Sequence, residues 1–241
     1  MLFRSLSTSR VYPLDVIGAL PYSETDTRFV WKDCKQSGIP GWSKHGIAED
    51  FPLAGTRSLY GASKLSAELI AHEYAATYDL NILINRCGVI AGPWQFGKID
   101  QGVFALWVFK HMFGGELSYI GYGGTGKQVR DVLHIDDLCD LVVRQCKDIK
   151  GERATIFNVG GGLENSLSLC ELTNICDDVS GHKIPISSVA ANRPFDLPMY
   201  LTDNKRVTEA YGWKPKRSAK QVVEDIFSWA LDHQDALRSI I

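Results

Sequence analysis

No stretch of the 241 residues approaches the roughly 18 consecutive apolar positions that a membrane-crossing helix needs, so a membrane is not an expected partner. Lysine and arginine are scattered through a chain of formal net charge −2, so there is no basic stripe for a phosphate backbone and nucleic acid is not expected either. The six cysteines (Cys34, Cys87, Cys139, Cys146, Cys170 and Cys176) form no C-x-x-C or other zinc-ligand spacing, and the six histidines form no H-x-H or H-E-x-x-H. No metal site is therefore expected, at His134 beside Asp136 and Asp137 included. The thiols read as reduced, mostly buried residues of a cytoplasmic protein, and Cys139 and Cys146, seven apart on one helix face, as packing residues and not a bridge. There is no internal repeat and no low-complexity tract. What remains is 45% hydrophobic and 22% charged, the composition of a folded chain with a substantial core.

The pattern along the chain is α/β. Met1 to Arg10 carries Arg4, Arg10 and four hydroxyl residues with no acid, which superficially matches an organellar presequence. The alternative is a buried strand from Met1 running into Ser7-Thr8-Ser9, so that the chain starts in the middle of a fold. Tyr12 to Pro52 is broken by proline and glycine and reads as a long loop or insertion, a length uncommon unless it serves a site. Helices are predicted over 58–78, 102–113, 135–147, 168–180, 204–211 and 219–237, with strands over 81–87, 117–120, 129–133 and 156–159 and an extended segment over 184–189. Asn81 to Cys87 is leucine-rich and β-branched without alternation, as a parallel strand buried on both faces should be.

Two motifs could carry chemistry. Gly121 to Gly126 satisfies G-x-G-x-x-G, but a strand-like segment follows where a phosphate-binding fingerprint needs a helix N-terminus, so the glycines are expected to make a hairpin turn at positive φ. Tyr60-Gly-Ala-Ser-Lys64 puts a phenol and an ammonium one turn apart on one helix face. A fixed positive charge favours the phenolate, so the pair can take a proton from an alcohol; a surface helix with an exposed lysine is the plainer reading.

The wider constellation is more specific. Ser7-Thr8-Ser9-Arg10-Val11-Tyr12 is followed by Tyr60 to Lys64, Asn85-Arg86 to Pro93, Arg130-Asp131 to Asp137, Asn158-Val-Gly-Gly, Arg193-Pro-Phe-Asp196 and Gly212-Trp-Lys-Pro215. In this order they resemble the extended short-chain dehydrogenase/reductase family, and within it the NAD-dependent nucleotide-sugar epimerases and dehydratases of the CDP-tyvelose (CDP-paratose) 2-epimerase type. The resemblance implies a partial Rossmann-like parallel sheet lacking its first strands, with a smaller C-terminal α/β substrate-binding domain. Residues 1–95 would be the remaining part of the NAD-binding domain, with an insertion at 13–52. Residues 96–241 would mainly bind the nucleotide sugar, with a strand near 156–160 returning to the sheet. Nothing of the family's opening strand, Gly-x-x-Gly-x-x-Gly turn and helix precedes Thr8, so the chain corresponds to the C-terminal two-thirds of such an enzyme.

By the same resemblance Thr8, Tyr60 and Lys64 are catalytic. Ser7, Tyr60, Lys64, Cys87 and Val89 face the NAD cofactor, and Ser9, Arg10, Gln95, Arg130 and Arg193 hold the substrate, a CDP-sugar. For Arg193 the alternative is a loop ion pair with Asp196. Thr8 and Tyr60 stand 52 residues apart, further than is usual in the family, and the insertion accounts for it. Family dehydratases carry Thr-Asp-Glu where this chain has Thr8-Ser9-Arg10, so epimerisation through a transient keto sugar is expected over elimination of water. An inactive, NAD-free chain that binds a nucleotide sugar is the competing reading, and relatives of this type dimerise through the helix matching residues 64–78. Trp94, Phe96, Trp107 and Phe109 are expected in core and pocket wall.

Overall fold

A computed structural model describes residues 2–32, 38–98, 101–148 and 154–238; Cys34 lies outside them. The chain opens with β1 (Leu2–Thr8) and a single 3-10 turn, followed by α1 (Leu14–Gly18). Two small hairpins follow, β2 (Tyr22–Glu24) with β3 (Phe29–Trp31), and β4 (Trp42–Ser43) with β5 (Gly46–Ile47). Then comes α2 (Leu59–Tyr78), capped by Ser58 and ended by Asp79 at φ 53°, and β6 (Asn81–Cys87) with the short β7 (Val89–Ala91). The remainder alternates: α3 (Val103–Phe113), β8 (Leu117–Ile120), β9 (Val129–His134), α4 (Ile135–Lys147), β10 (Ala154–Val159), β11 (Ser166–Ser168), α5 (Leu169–Ser180), β12 (Ile186–Val189), β13 (Met199–Tyr200), α6 (Lys205–Tyr211), α7 (Ala219–Asp232) and α8 (Gln234–Arg238).

Three strands make a parallel sheet in the order β1-β6-β10, with Thr8 opposite Cys87 and Val159 opposite Cys87 on its other side. β6 is buried along all but its first residue, which is why it carries the apolar run Ile82–Ile84 and why its polar Asn85 and Arg86 are paired, with Gln145 and Glu68. From its end the chain steps through Gly88 into β7 and joins a second sheet centred on β9, which also pairs with β11 and β13. The junction between the sheets is where the candidate site lies. Behind it, α3, α5 and α7 bury Trp107, Phe109, Leu172 and Ile226 in one cluster, each such side chain contributing roughly 1.5–3 kcal/mol.

Several expectations need correction. The segment 12–52, expected as a long loop or insertion, is an insertion that packs where it is described: Tyr12, Ile17, Trp42, Ile47 and Phe51 are buried together with Leu197 and Tyr200. The apolar residues between its prolines and glycines supply a core that periodicity does not reveal. The glycine segment 121–126 does take positive φ at Gly121, Gly123, Gly124 and Gly126, but it is not a hairpin turn. The strands on either side join different sheets, β8 with β12 and β9 with its own partners, and a 3-10 turn at Tyr122–Gly124 carries the chain between them. Cys139 and Cys146 are exposed, because the buried face of α4 is made by Asp137, Leu138, Leu141 and Gln145. Trp94 and Phe96 are also largely exposed, lying against Trp229 at the surface, whereas Trp107 and Phe109 are buried as expected.

Candidate active site

At the carboxyl ends of β1 and β6, where open α/β sheets bind ligands, the start of α2 abuts the turn that follows β1. Ser58 Oγ accepts from the Gly61 N–H at 3.1 Å and caps the helix. Gly61 has to be glycine here, because a Cβ would collide with the Arg10 carbonyl oxygen. The turn itself is capped by Thr8, whose Oγ1 accepts from the Arg10 N–H at 3.2 Å. Lys64 Nζ donates to the Leu6 carbonyl at 3.2 Å, two residues before Thr8. The structure thus gathers Thr8, Tyr60 and Lys64 around one junction, with the Tyr60 ring 55% exposed.

Beneath them runs a buried polar chain that sequence reading missed. Ser7 Oγ donates to Glu68, which forms an ion pair with Arg86 at 2.7 Å, both side chains being almost fully buried. Arg86 donates to the Tyr12 hydroxyl at 3.0 Å, and that hydroxyl donates to Asn158 at 2.8 Å. Asn158 reaches the Ile47 carbonyl at 2.9 Å and, through its backbone N–H, Glu49 at 2.7 Å. Burial raises the Tyr12 phenol and the Glu49 carboxyl above their ordinary values. One network therefore fastens β1, α2, β6, β10 and the inserted segment. The available signal was Glu68 itself, four residues after Lys64 on the same helix.

Two of the residues expected near a cofactor do not present free side chains. Ser7 is occupied by Glu68. Cys87 is buried, its Sγ lies 3.6 Å from the Asn85 carbonyl, and burial pushes the thiol up to about 12.

Next to this junction is a cavity of about 480 Å³, lined by Arg10, Val89, Gln95, Arg130 and Arg193 among others, with Phe104, Trp107 and Leu117 in its apolar wall. Four of the five residues expected to hold substrate meet here; Ser9 is not among the lining residues. Val89, expected near a cofactor, lines this cavity instead. Arg130 donates to Asp196 Oδ1 at 2.8 Å, to the Leu197 carbonyl at 2.9 Å and to the Val129 carbonyl at 2.7 Å. Asp196, weighed as a partner for Arg193, is thus an ion-pair partner of Arg130. Arg10 donates to the Phe195 carbonyl at 3.1 Å. Burial first, and then the Arg130 charge, lowers the Arg10 guanidinium from its ordinary value, while Asp196, Tyr200 and Tyr60 act in the opposite sense. Arg10 links the two halves of the site: its side chain lines the cavity and its backbone N–H donates to Thr8. Its neighbourhood of guanidinium groups suits a diphosphate.

The glycine segment 121–126 leads into β9 and not into a helix, so it cannot cradle a dinucleotide pyrophosphate in the way a helix N-terminus does. Among the described residues no group of three or more His, Cys, Asp or Glu could hold a metal ion. No helix among them is long and apolar enough to cross a membrane.

Comparison with known proteins places these features in context. The model of the NAD dependent epimerase/dehydratase family matches residues 6–160. CDP-paratose 2-epimerase of Salmonella typhi is 32% identical over 225 residues, which cover 92% of this chain and 63% of that protein. dTDP-glucose 4,6-dehydratase of Streptomyces antibioticus is 28% identical over 199 residues, 81% of this chain and 56% of its own length. The crystal structure of UDP-glucuronic acid 4-epimerase from Bacillus cereus, in complex with UDP-glucuronic acid and NAD, superposes with a TM-score of 0.72 at 21% identity, covering 95% of this chain and 61% of that one. The chain thus spans between 56% and 63% of the length of these relatives.

Proposed function

The chain belongs to the NAD-dependent epimerase/dehydratase family, and from that premise we propose that it acts on a CDP-sugar as a 2-epimerase, by transient oxidation of a sugar carbon and hydride return. The observation that carries this reading is the convergence of Arg10, Gln95, Arg130 and Arg193 on one cavity beside Thr8, Tyr60 and Lys64. CDP is favoured among the nucleotides by the 32% identity to CDP-paratose 2-epimerase.

The residues present fit one end of NAD. Tyr60 is open to solvent and Lys64 spans to the Leu6 carbonyl at the carboxyl edge of β1, where a nicotinamide riboside can approach both. NAD, when bound, supplies the acceptor and donor of hydride. Tyr60, with the Thr8 hydroxyl, takes the proton of the sugar hydroxyl and returns it; Lys64, one helical turn further on, would hold the nicotinamide ribose. The arginines keep the diphosphate in place while the oxidised sugar presents its other face. Arg10 favours epimerisation over dehydration: the position carries a cation directed at the Phe195 carbonyl, where elimination would need an acid.

A second reading rests on a specific observation. Among the described residues no glycine-rich turn leads from a strand into an α-helix, Gly160–Gly162 running into a single 3-10 turn, so a chain that binds the nucleotide sugar without NAD is the competitor. Calorimetric titration separates the two. CDP and NAD⁺ are both expected to give heat, and a CDP-sugar is expected to show inversion at C2 by proton NMR that Tyr60→Phe abolishes. CDP binding with no heat from millimolar NAD⁺ overturns the redox reading and leaves the nucleotide-sugar site.

Self-association belongs to the same proposal. Leu69, Ile70, Tyr74 and Tyr78 of α2 are each more than half exposed and suit a second copy of the helix; Ile70→Glu is expected to shift a dimer to a monomer in light scattering. The free thiols Cys139 and Cys146 suit a reducing, cytoplasmic compartment.

A further inference from the structure

We propose that Tyr122 is a positioning residue for substrate binding, which clasps the turn at residues 193–196 so that Asp196 holds Arg130 at the cavity wall, an inference that rests on the reading of the cavity as a nucleotide-sugar site. Arg130, Arg193 and Asp196 line the cavity; Tyr122 is not among the lining residues and acts from behind them.

The turn needs a clasp. The Asp196 N–H donates to the Arg193 carbonyl at 3.3 Å and closes a four-residue turn, with Pro194 in its second place and Phe195 at φ 62° in its third. Positive φ at the third place is the pattern of a type II turn, where glycine or asparagine is the usual occupant. A phenylalanine there is strained, and a strained residue persists when its surroundings over-determine it. Burial of the Phe195 ring does not do so, since that residue is 57% exposed.

Tyr122 reaches both ends of the turn. Its N–H donates to Asn192 Oδ1 at 2.6 Å, one residue before the turn, and its hydroxyl donates to the Asp196 carbonyl at 3.2 Å, at the turn's last residue. A carbonyl only accepts, so the phenol must keep its proton. Burial first, and then the Asp196 charge, push that phenol up to about 12, against the Arg130 charge. With its backbone held, Asp196 turns its Oδ1 to Arg130 and to the Leu197 N–H, both at 2.8 Å.

The inserted segment seats the clasp. Tyr122 has φ 50°, a conformation that a side-chain-bearing residue rarely adopts. Its ring meets the edge of Phe29 at 5.9 Å, and Tyr22 lies 4.9 Å behind Phe29. The β2–β3 hairpin that carries these rings is fastened on two sides. Glu24 pairs with Lys127 at 2.7 Å, and Arg28 pairs with Glu171, at the head of α5, at 2.6 Å. An insertion of this length thus serves the site through Tyr122.

The test is a double-mutant cycle, with CDP titrated calorimetrically into the full chain as wild type, Tyr122→Phe, Arg130→Ala and the double variant. Tyr122→Phe keeps the ring against Phe29 and removes only the hydroxyl. It is expected to weaken CDP binding about fivefold, the scale of one hydrogen bond. In the Arg130→Ala background the same substitution is expected to cost less than twofold, because Asp196 no longer has that cation to orient; a merely structural loss would be equal in both backgrounds. Asn192→Ala, at the exposed end of the clasp, takes the place of Tyr122→Phe if that variant does not fold. Equal affinity of the wild-type chain and Tyr122→Phe, or a fivefold loss that persists without Arg130, overturns the inference while the nucleotide site stands. No heat from CDP in the wild-type chain overturns the site itself, and the inference with it.

Discussion

The two halves of the site are built differently. On the cavity side the polar groups are pre-set by backbone carbonyls: Arg130 by Val129 and Leu197, Gln128 by Ile120, Gln95 by Ile90. On the β1–α2 side the phenol of Tyr60 stands more than half exposed, and its neighbour Leu59 is almost fully exposed. There the order lies underneath, in the Ser7–Glu68–Arg86–Tyr12–Asn158 chain. The difference teaches that a recognition pocket can be organised by its own walls, while a proton-transfer group on an open edge depends on a rigid floor to keep its register.

The largest expected effect tests that floor. Glu68→Ala leaves Arg86 charged and uncompensated in the interior and should cost about 3–5 kcal/mol in urea unfolding; a loss below about 1 kcal/mol would show that the floor is dispensable. The cavity should respond in the opposite manner. Arg130→Ala is expected to weaken CDP binding roughly 10- to 100-fold, the scale of a charged hydrogen-bonding group, with only a small change in the urea midpoint. A large stability loss from Arg130→Ala with intact binding would reverse the contrast.

Acidity sharpens it further. Asp131, on β9 beside Arg130, is fully buried, and desolvation raises its carboxyl above the ordinary value of 3.8 even though the Gly162 N–H opposes the shift. The folded state therefore holds this proton more tightly than the unfolded state does. From pH 3.8 up to the raised value the native form binds more protons, so this residue's contribution to stability falls as pH rises. Asp131→Asn should remove that fall, seen as a flatter dependence of the urea midpoint on pH; an unchanged slope would refute the assignment. The smallest effect expected is at the helix cap: Ser58→Ala should cost about 1 kcal/mol and lower activity at Tyr60 while leaving CDP affinity unchanged.

Much of the framework was legible where the signals are local. The helix over 58–78 follows from a serine cap and a run that stops at Asp79, and the helix over 135–147 from paired aspartates behind His134, whose Nδ1 accepts from the Asp136 N–H at 3.1 Å. β7, β11 and β13 were not legible, because segments of two or three residues carry no period. The glycine segment 121–126 misled for a related reason: its backbone conformation is local, but the partners of its flanking strands are distant in sequence. In the site, the arginines were legible as residue types and Gln128 was not.

The sequence by itself determined the α/β class, the places of the longer helices, the Tyr60–Lys64 spacing and the absence of acids at residues 9 and 10, because each depends on neighbours within a few positions of the chain; it did not show α1 or the break between α7 and α8. Tertiary structure alone decided that Arg130 pairs with Asp196, that the inserted segment shares a core with Leu197 and Tyr200, that Ser7 is taken up by Glu68, and that arginines from three separate segments share a cavity. The reason is that charge pairing and burial depend on distances in space, and the chain brings those together across up to 185 residues, as from Arg10 to Phe195.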